Sequence, residues 1–182
     1  SQRYTSTGHF NTSSGYMSLC SNSTGCHNTA IGDLALRNNT TANYNTALGA
    51  CSLVANTTGA DNTAVGFRAL VANTCGNKNA AFGNYALCSN TTGGYNVAMG
   101  CVALLSNSTG NNNVAIGVAS LEANTTGCMS SAVGAYALYS NTTGRNTAVG
   151  FKSLNANTTG SRNTASGGYS LCKNTTATDN TA

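Results

Sequence analysis

Few side chains in this sequence are of the types that carry acid–base or metal chemistry. The two histidines are His9 and His27, and the acidic residues lie far apart in the chain at Asp33, Asp61, Glu122 and Asp179. Catalysis of that kind needs a nucleophile, a base and an orienting group within hydrogen-bonding reach of one another. No spacing that would supply such a set recurs, so we expect no enzyme activity and no cofactor.

The cysteines are the other candidates for chemistry. There are eight of them, at Cys20, Cys26, Cys51, Cys75, Cys88, Cys101, Cys128 and Cys172. Zinc sites usually use closely spaced cysteine pairs, and no C-x-x-C pair is present, so we expect no metal. Structural disulfides in a repeat protein should recur from unit to unit, and these positions do not. We expect free thiols, with Cys20–Cys26 and Cys75–Cys88 as open alternatives across a turn.

The rest of the chain is one repeating unit. An asparagine recurs every 17 residues, at Asn22, Asn39, Asn56, Asn73, Asn90, Asn107, Asn124 and Asn141. The next, Asn157, follows after 16 because one residue is missing between Gly144 and Asn146. Deletions are best tolerated in turns, so a turn is predicted there. Residues 1–182 are interpreted as a single array with its first repeat at 5–21 and an incomplete last repeat at 174–182, a segment of a longer fibre.

Numbering each unit from that asparagine defines seventeen repeat positions. Positions 1 to 4 read Asn-Thr-Thr-Gly, positions 7 to 11 read Asn-Thr-Ala-Val-Gly, and positions 14 and 15 read Ala-Leu. Glycine, asparagine and threonine have low helix propensity, and no helical apolar stripe is present. We therefore expect each unit to be one coil of two short strands and two turns, with positive φ at the glycine of position 11.

Stacking such coils places identical residues above one another. The fold predicted is an all-β parallel β-solenoid of about ten 17-residue coils, in which asparagine amides bond to the coils above and below. The predicted core ladder comprises Leu36, Leu53, Leu70, Leu87, Leu104, Leu121, Leu138, Val65, Ile116 and Val133.

The energetics favour association of several chains. Each unit offers two large aliphatic side chains worth roughly 1.5–3 kcal/mol each if buried, against about 1–2 kcal/mol for ordering each residue. Burial of a second apolar surface against other chains would offset more of this ordering cost. The small alanines at positions 9 and 14 would allow close approach, and a homotrimer is the preferred assembly.

Charge and hydropathy exclude two classes of partner. Charged residues make up 7% of the chain, the net charge is +4, and no basic run is present, so we expect no nucleic-acid binding. No apolar stretch approaches the roughly 18–20 residues that a bilayer-spanning helix needs, so we expect no membrane insertion.

Three surface features suggest ligands. A charge-free threonine column at position 2 would suit an ice surface, or form a simple hydrogen-bonded ladder; it comprises Thr40, Thr57, Thr74, Thr91, Thr125 and Thr142. Exposed tyrosines could contact glycans, with Tyr85, Tyr136, Tyr139 and Tyr169 as the candidates. Asn-Thr-Thr turns such as those at Asn56 and Asn90 are N-glycosylation sequons, or only good turn and ladder sequences.

The stretches "NTAVGFRAL", "NTAIGDLAL" and "NVAIGVASL" carry a family resemblance, which covers the chain from Gly8 to Ala182. The sequence resembles the head repeats of trimeric autotransporter adhesins, and more closely the "NTA-x-G-x-x-AL-x-x-NTTG" arrays of phage and bacterial tail fibres. "AYALYSNTTGRNTAVG", residues 135–150, is a near-verbatim example. This resemblance implies a left-handed, usually trimeric β-roll. It also implies a structural role in a fibre on a virion or cell surface, which projects a binding tip toward a host receptor or glycan.

Overall fold

Each repeat contributes one short strand to a parallel sheet. The computed structural model describes residues 7–182, and these form ten strands of three residues each. The strands are β1 (Thr12–Ser14), β2 (Thr29–Ile31), β3 (Thr46–Leu48), β4 (Thr63–Val65), β5 (Ala80–Phe82), β6 (Val97–Met99), β7 (Val114–Ile116), β8 (Ser131–Val133), β9 (Thr147–Val149) and β10 (Thr164–Ser166). The first predicted repeat starts at Thr5, which lies outside the described residues.

The strands pair in chain order, and like residues face like. The sheet order is β1 to β10 without a crossover. Thr29 pairs with Thr46 and Ala30 with Ala47, a 17-residue register, whereas Ser131 pairs with Thr147 across the shortened unit. The predicted all-β parallel β-solenoid with 17-residue coils is confirmed, and the deletion falls in the loop between β8 and β9.

The second strand predicted for each coil is wrong. Positions 12 to 16 form turns, and in a representative coil the Ser52 N–H donates to the Gly49 carbonyl while the Asn56 N–H donates to the Leu53 carbonyl. The leucine of position 15 has a φ between 49° and 52° in the repeats from Leu36 to Leu154. A left-handed leucine is costly for the backbone, and this cost is offset because the turn directs the side chain into the coil.

The core lies inside the coils and is narrow. The leucines predicted for the core ladder are all fully buried, as are the alanines of positions 9 and 14 in the central coils, such as Ala64 and Ala69. These alanines let the two sides of one coil approach each other. The expectation that they would let separate chains approach is therefore wrong, because no part of their surface is exposed.

Three members of the predicted core ladder lie elsewhere. Val65, Ile116 and Val133 stand at position 10, and Ile116 and Val133 are both 38% exposed while Val65 is half-buried. Successive side chains of a strand point to opposite faces. Because the alanine of position 9 points into the coil, positions 8 and 10 must point outward.

Two separate constraints require glycine at position 11, namely its positive φ and its close contact with the next coil. Its φ lies between 122° and 143° in coils such as those of Gly83, Gly100 and Gly167, which confirms the expected positive value. At Gly83 a Cβ would also lie 2.5 Å from the carbonyl oxygen of Gly100 in the next coil. The left-handed conformation and the close stacking of coils therefore each exclude a side chain.

We expect Gly83→Ala to lower the free energy of unfolding by more than the roughly 1–3 kcal/mol that backbone strain alone costs. Gly167→Ala is the matched control, since its φ of 122° is similar but no atom lies within 4 Å of its added Cβ. Chemical denaturation of both variants measures the difference. Equal losses in the two variants would contradict the close stacking of neighbouring coils.

Candidate functional site

The asparagines of position 1 form a buried ladder that is unbroken from Asn22 to Asn124. The Asn73 Nδ2 donates to Asn56 Oδ1 at 2.8 Å and to the Gly76 carbonyl within its own coil at 3.0 Å. Asn90 repeats both bonds with Asn73 and Gly93. Each amide thus closes a turn of its own coil and binds the preceding one, as the sequence predicts.

The asparagines of position 7 form a second ladder beside the first. The Asn62 Nδ2 donates to the carbonyl of Gly76 in the next coil at 2.8 Å, and the backbone N–H of Asn79 donates to Asn62 Oδ1 at 3.0 Å. Both ladders therefore meet at the carbonyl of position 4. In a coil this thin the polar groups cannot reach water, so they must satisfy one another.

The threonine column of position 2 is a third ladder. The Thr57 hydroxyl donates to the Thr74 carbonyl at 3.1 Å, and the Thr74 hydroxyl donates to the Thr91 carbonyl at 3.0 Å. Thr40, Thr91, Thr125 and Thr142 make the same bond to the following coil. Thr74 and Thr125 are exposed and the other four are half-buried. The hydroxyl hydrogens of this column are thus already used within the protein.

The ladders are interrupted at the shortened unit. Ser130 occupies position 7 of the preceding unit in place of asparagine, and its hydroxyl donates to the carbonyl of Gly144 in the shortened unit. On either side, Asn124 Oδ1 and Asn141 Nδ2 are buried and make no hydrogen bond. In a regular coil these two atoms would bond to each other, so the deletion removes one rung of the position-1 ladder.

Four asparagines of the Asn-Thr-Thr sequons are not accessible in the folded chain. Asn56, Asn90, Asn124 and Asn141 are fully buried. The Nδ2 atom of Asn90, to which a glycan would attach, instead donates to Asn73 and to Gly93. The Asn-Thr-Thr sequence therefore serves the turn and the ladder in this structure.

Three of the four candidate tyrosines lie together. The ring of Tyr136 contacts Tyr139 at 5.9 Å and Phe151 at 6.2 Å between centroids, and Phe151 contacts Tyr169 at 5.4 Å. Tyr85 lies apart from them, edge-on to Phe67. Tyr136 and Tyr169 are exposed, but Tyr85 and Tyr139 are half-buried, so the prediction that all four are exposed is wrong for those two.

Position 6 is an outer column with its own vertical contacts. The His27 ring stacks between Phe10 and Tyr44, with centroid distances of 4.9 and 5.0 Å. Farther along, Arg162 donates two hydrogen bonds to the Asp179 carboxylate, at 2.6 and 2.7 Å. These bonds hold the pKa of Asp179 below its usual value. The histidines thus contact aromatic rings rather than a carboxylate.

All eight cysteines are unpaired in the structure. They are spread over five repeat positions: Cys20, Cys88 and Cys172 stand at position 16, Cys26 and Cys128 at position 5, and the other three at one position each. The Cys26 Sγ accepts a hydrogen bond from the His9 N–H at 3.3 Å. Burial raises the pKa of the Cys88 thiol, and the positive charge of Arg68 opposes this rise.

The outward face of the sheet carries the most distinctive surface. We call the side chains of position 10 the outward strip: Ile31, Leu48, Val65, Phe82, Met99, Ile116, Val133 and Val149. Apart from the half-buried Val65, its members are 37–44% exposed. Beside the strip lie the threonines, valines and other small residues of position 8. Sequence reasoning correctly grouped positions 8 and 10 on one face of the strand but placed the apolar members inside.

Residues 7–182 contain no internal cavity and no group of three or more histidine, cysteine or acidic side chains that could hold a metal ion. No helix in this range is long and apolar enough to cross a bilayer. No protein-family model, curated protein or solved structure matches the chain in the comparisons made.

Proposed function

We propose that the chain is a non-catalytic structural segment of an extracellular fibre, carried by a virion or a cell surface as the resemblance to tail-fibre and adhesin repeats implies. In this role it is a rod of three copies, each a left-handed roll. The rod holds a binding tip away from the surface. Contact between such a fibre and a host glycan or receptor is part of the same proposal.

The observation that carries the proposal is the continuity of bonding along the array. Every coil from that of Asn39 to that of Asn124 is tied to the preceding coil by the position-1 amide. The position-2 hydroxyls and the backbone of the sheet add further rows of hydrogen bonds that run parallel to it. Such rows resist bending and stretching along the whole length, which is the property that a spacer needs.

Small-angle scattering and immunogold labelling test this function together. We expect the scattering of the purified chain to fit a stack of coils about 45 Å long, since ten strands lie about 4.8 Å apart. Antibodies raised against it should decorate fibres on the surface of the source cell or virion. Labelling confined to the cell interior would overturn the proposal.

Ice binding through the position-2 threonines is the weaker alternative. Their hydroxyl hydrogens are donated to carbonyl groups of the next coil, so they are not free to bond to ice. Thermal hysteresis that is lost when Thr74 and Thr125 are replaced by Val would establish ice binding instead.

A further inference from the structure

The outward strip departs from the repeat in the middle of the array. At position 8, β1 to β4 carry threonine, but β5, β6 and β7 carry Ala80, Val97 and Val114. The same three strands carry Phe82, Met99 and Ile116 at position 10. Both outward columns are therefore apolar in the centre of the sheet.

Toward both ends the face becomes polar. β1 presents Thr12 and Ser14, and β10 presents Thr164 and Ser166. No charged residue occupies position 8 or position 10 in any of the ten strands. An apolar centre with a polar rim and without charge is the anatomy of a protein–protein interface.

We infer that this face is the contact surface between copies of the chain, with the outward strips of three copies converging on an axis that runs along the rod. The inference rests on the proposed trimeric structural role and identifies its interface. Around such an axis each coil meets the same coil of its neighbours, so the apolar centre of one copy meets the apolar centre of the next.

The dimensions and the composition of the face suit contact with other copies of the chain. Ten strands about 4.8 Å apart make a strip about 45 Å long, with side chains large enough to interdigitate. A standard interface buries about 800 Å² per partner, which the strip and its flanking columns can supply over that length. An ice surface would favour a uniform hydroxyl column, whereas here the threonines are missing from the centre.

Met99→Asp tests the interface, and Met129→Asp is its matched control. Met99 is 43% exposed on the strip, and Met129 is 51% exposed at position 6, away from the face. Aspartate already occupies position 6 at Asp61 and Asp179, so the control variant is expected to fold. Near the axis, by contrast, three carboxylates would be desolvated and would repel one another.

Size-exclusion chromatography with light scattering gives the readout. We expect wild type and Met129→Asp at about 55 kDa, three times the chain mass of 18.3 kDa, and Met99→Asp at 18.3 kDa with an unchanged far-ultraviolet spectrum. If Met99→Asp does not fold, Ile116→Lys places a charge on the same strip and must give the same dissociation.

A Met99→Asp variant that keeps the mass of the wild type would overturn the interface, as would equal dissociation of Met129→Asp. A monomeric wild type whose scattering still fits a stack of coils about 45 Å long overturns the interface and leaves the structural role intact. A wild type whose scattering does not fit such a stack of coils overturns both. Thermal hysteresis by a monomeric wild type that Met99→Asp abolishes would assign the face to ice.

Discussion

Replacing Asn90 by Asp is expected to lower the free energy of unfolding by about 3–5 kcal/mol at neutral pH. The Asn90 Nδ2 donates to Asn73 Oδ1 at 2.8 Å and to the Gly93 carbonyl at 2.9 Å, while its Oδ1 accepts from Asn107 at 2.9 Å. A carboxylate keeps the accepting role but turns the donor into a negative oxygen that faces two acceptors. Its charge is buried without a counterion.

The loss should depend on pH in a defined direction. Burial without a cation raises the pKa of the new carboxyl in the folded state above the value of about 3.9 in the unfolded chain. Protonation therefore favours the folded state. The destabilisation is smallest below pH 3.9 or so, grows as pH rises through the folded-state pKa, and is constant above it.

Chemical denaturation at several pH values measures this effect, with Asn77→Asp as the control. Asn77 is exposed, and its Oδ1 accepts a bond from the Ala60 N–H at 2.7 Å, a role that aspartate retains. We expect a change within about 0.5 kcal/mol for the control. Similar losses in the two variants would mean that the inner amide ladder does not hold the coils together.

Leu87→Ala should lower the free energy of unfolding by about 2–5 kcal/mol. The Leu87 side chain is fully buried inside the coil stack. Its neighbours in the ladder, Leu70 and Leu104, are fixed by the same backbone bonds and cannot collapse into the cavity. Because each coil is stabilised by its neighbours, a weakened coil in the middle should destabilise the array on both sides.

Leu34→Ala is the control for that experiment. Leu34 has a φ of 56°, close to the 51° of Leu87, but it stands half-buried at position 13. Both substitutions thus place alanine in the same left-handed conformation and differ in the apolar surface lost. Chemical denaturation should give free energies of unfolding that differ by more than about 1 kcal/mol between the two variants. A larger loss of unfolding free energy for Leu34→Ala than for Leu87→Ala would mean that the leucines of position 15 are not the core.

The sequence was sufficient to predict the features that the repeat fixes locally. The 17-residue spacing gave the coil, and the invariant glycine of position 11 gave the positive φ. The paired asparagines gave the ladders, because amides in a thin coil have no water to bond. The leucines of position 15 were expected inside because a large aliphatic at every coil must be buried somewhere.

Two features depended on backbone geometry that residue types do not express. Two short strands are expected in each coil, yet positions 12 to 16 form a tight turn that holds Leu70 at a φ of 52°, a value that leucine rarely adopts. The position-10 aliphatics were interpreted as core because they are apolar. The strand has room for one inward side chain, and the alanine of position 9 occupies it. Both errors come from counting apolar residues without fixing the direction of each side chain.

Diffraction from oriented samples of the purified chain tests the in-register stacking of coils most directly. The stack of ten parallel strands predicts a strong reflection at about 4.8 Å along the rod axis, from coils related by one repeat. A pattern with no reflection at that spacing along the axis, or one dominated by the 5.4 Å pitch of α-helices, would contradict it.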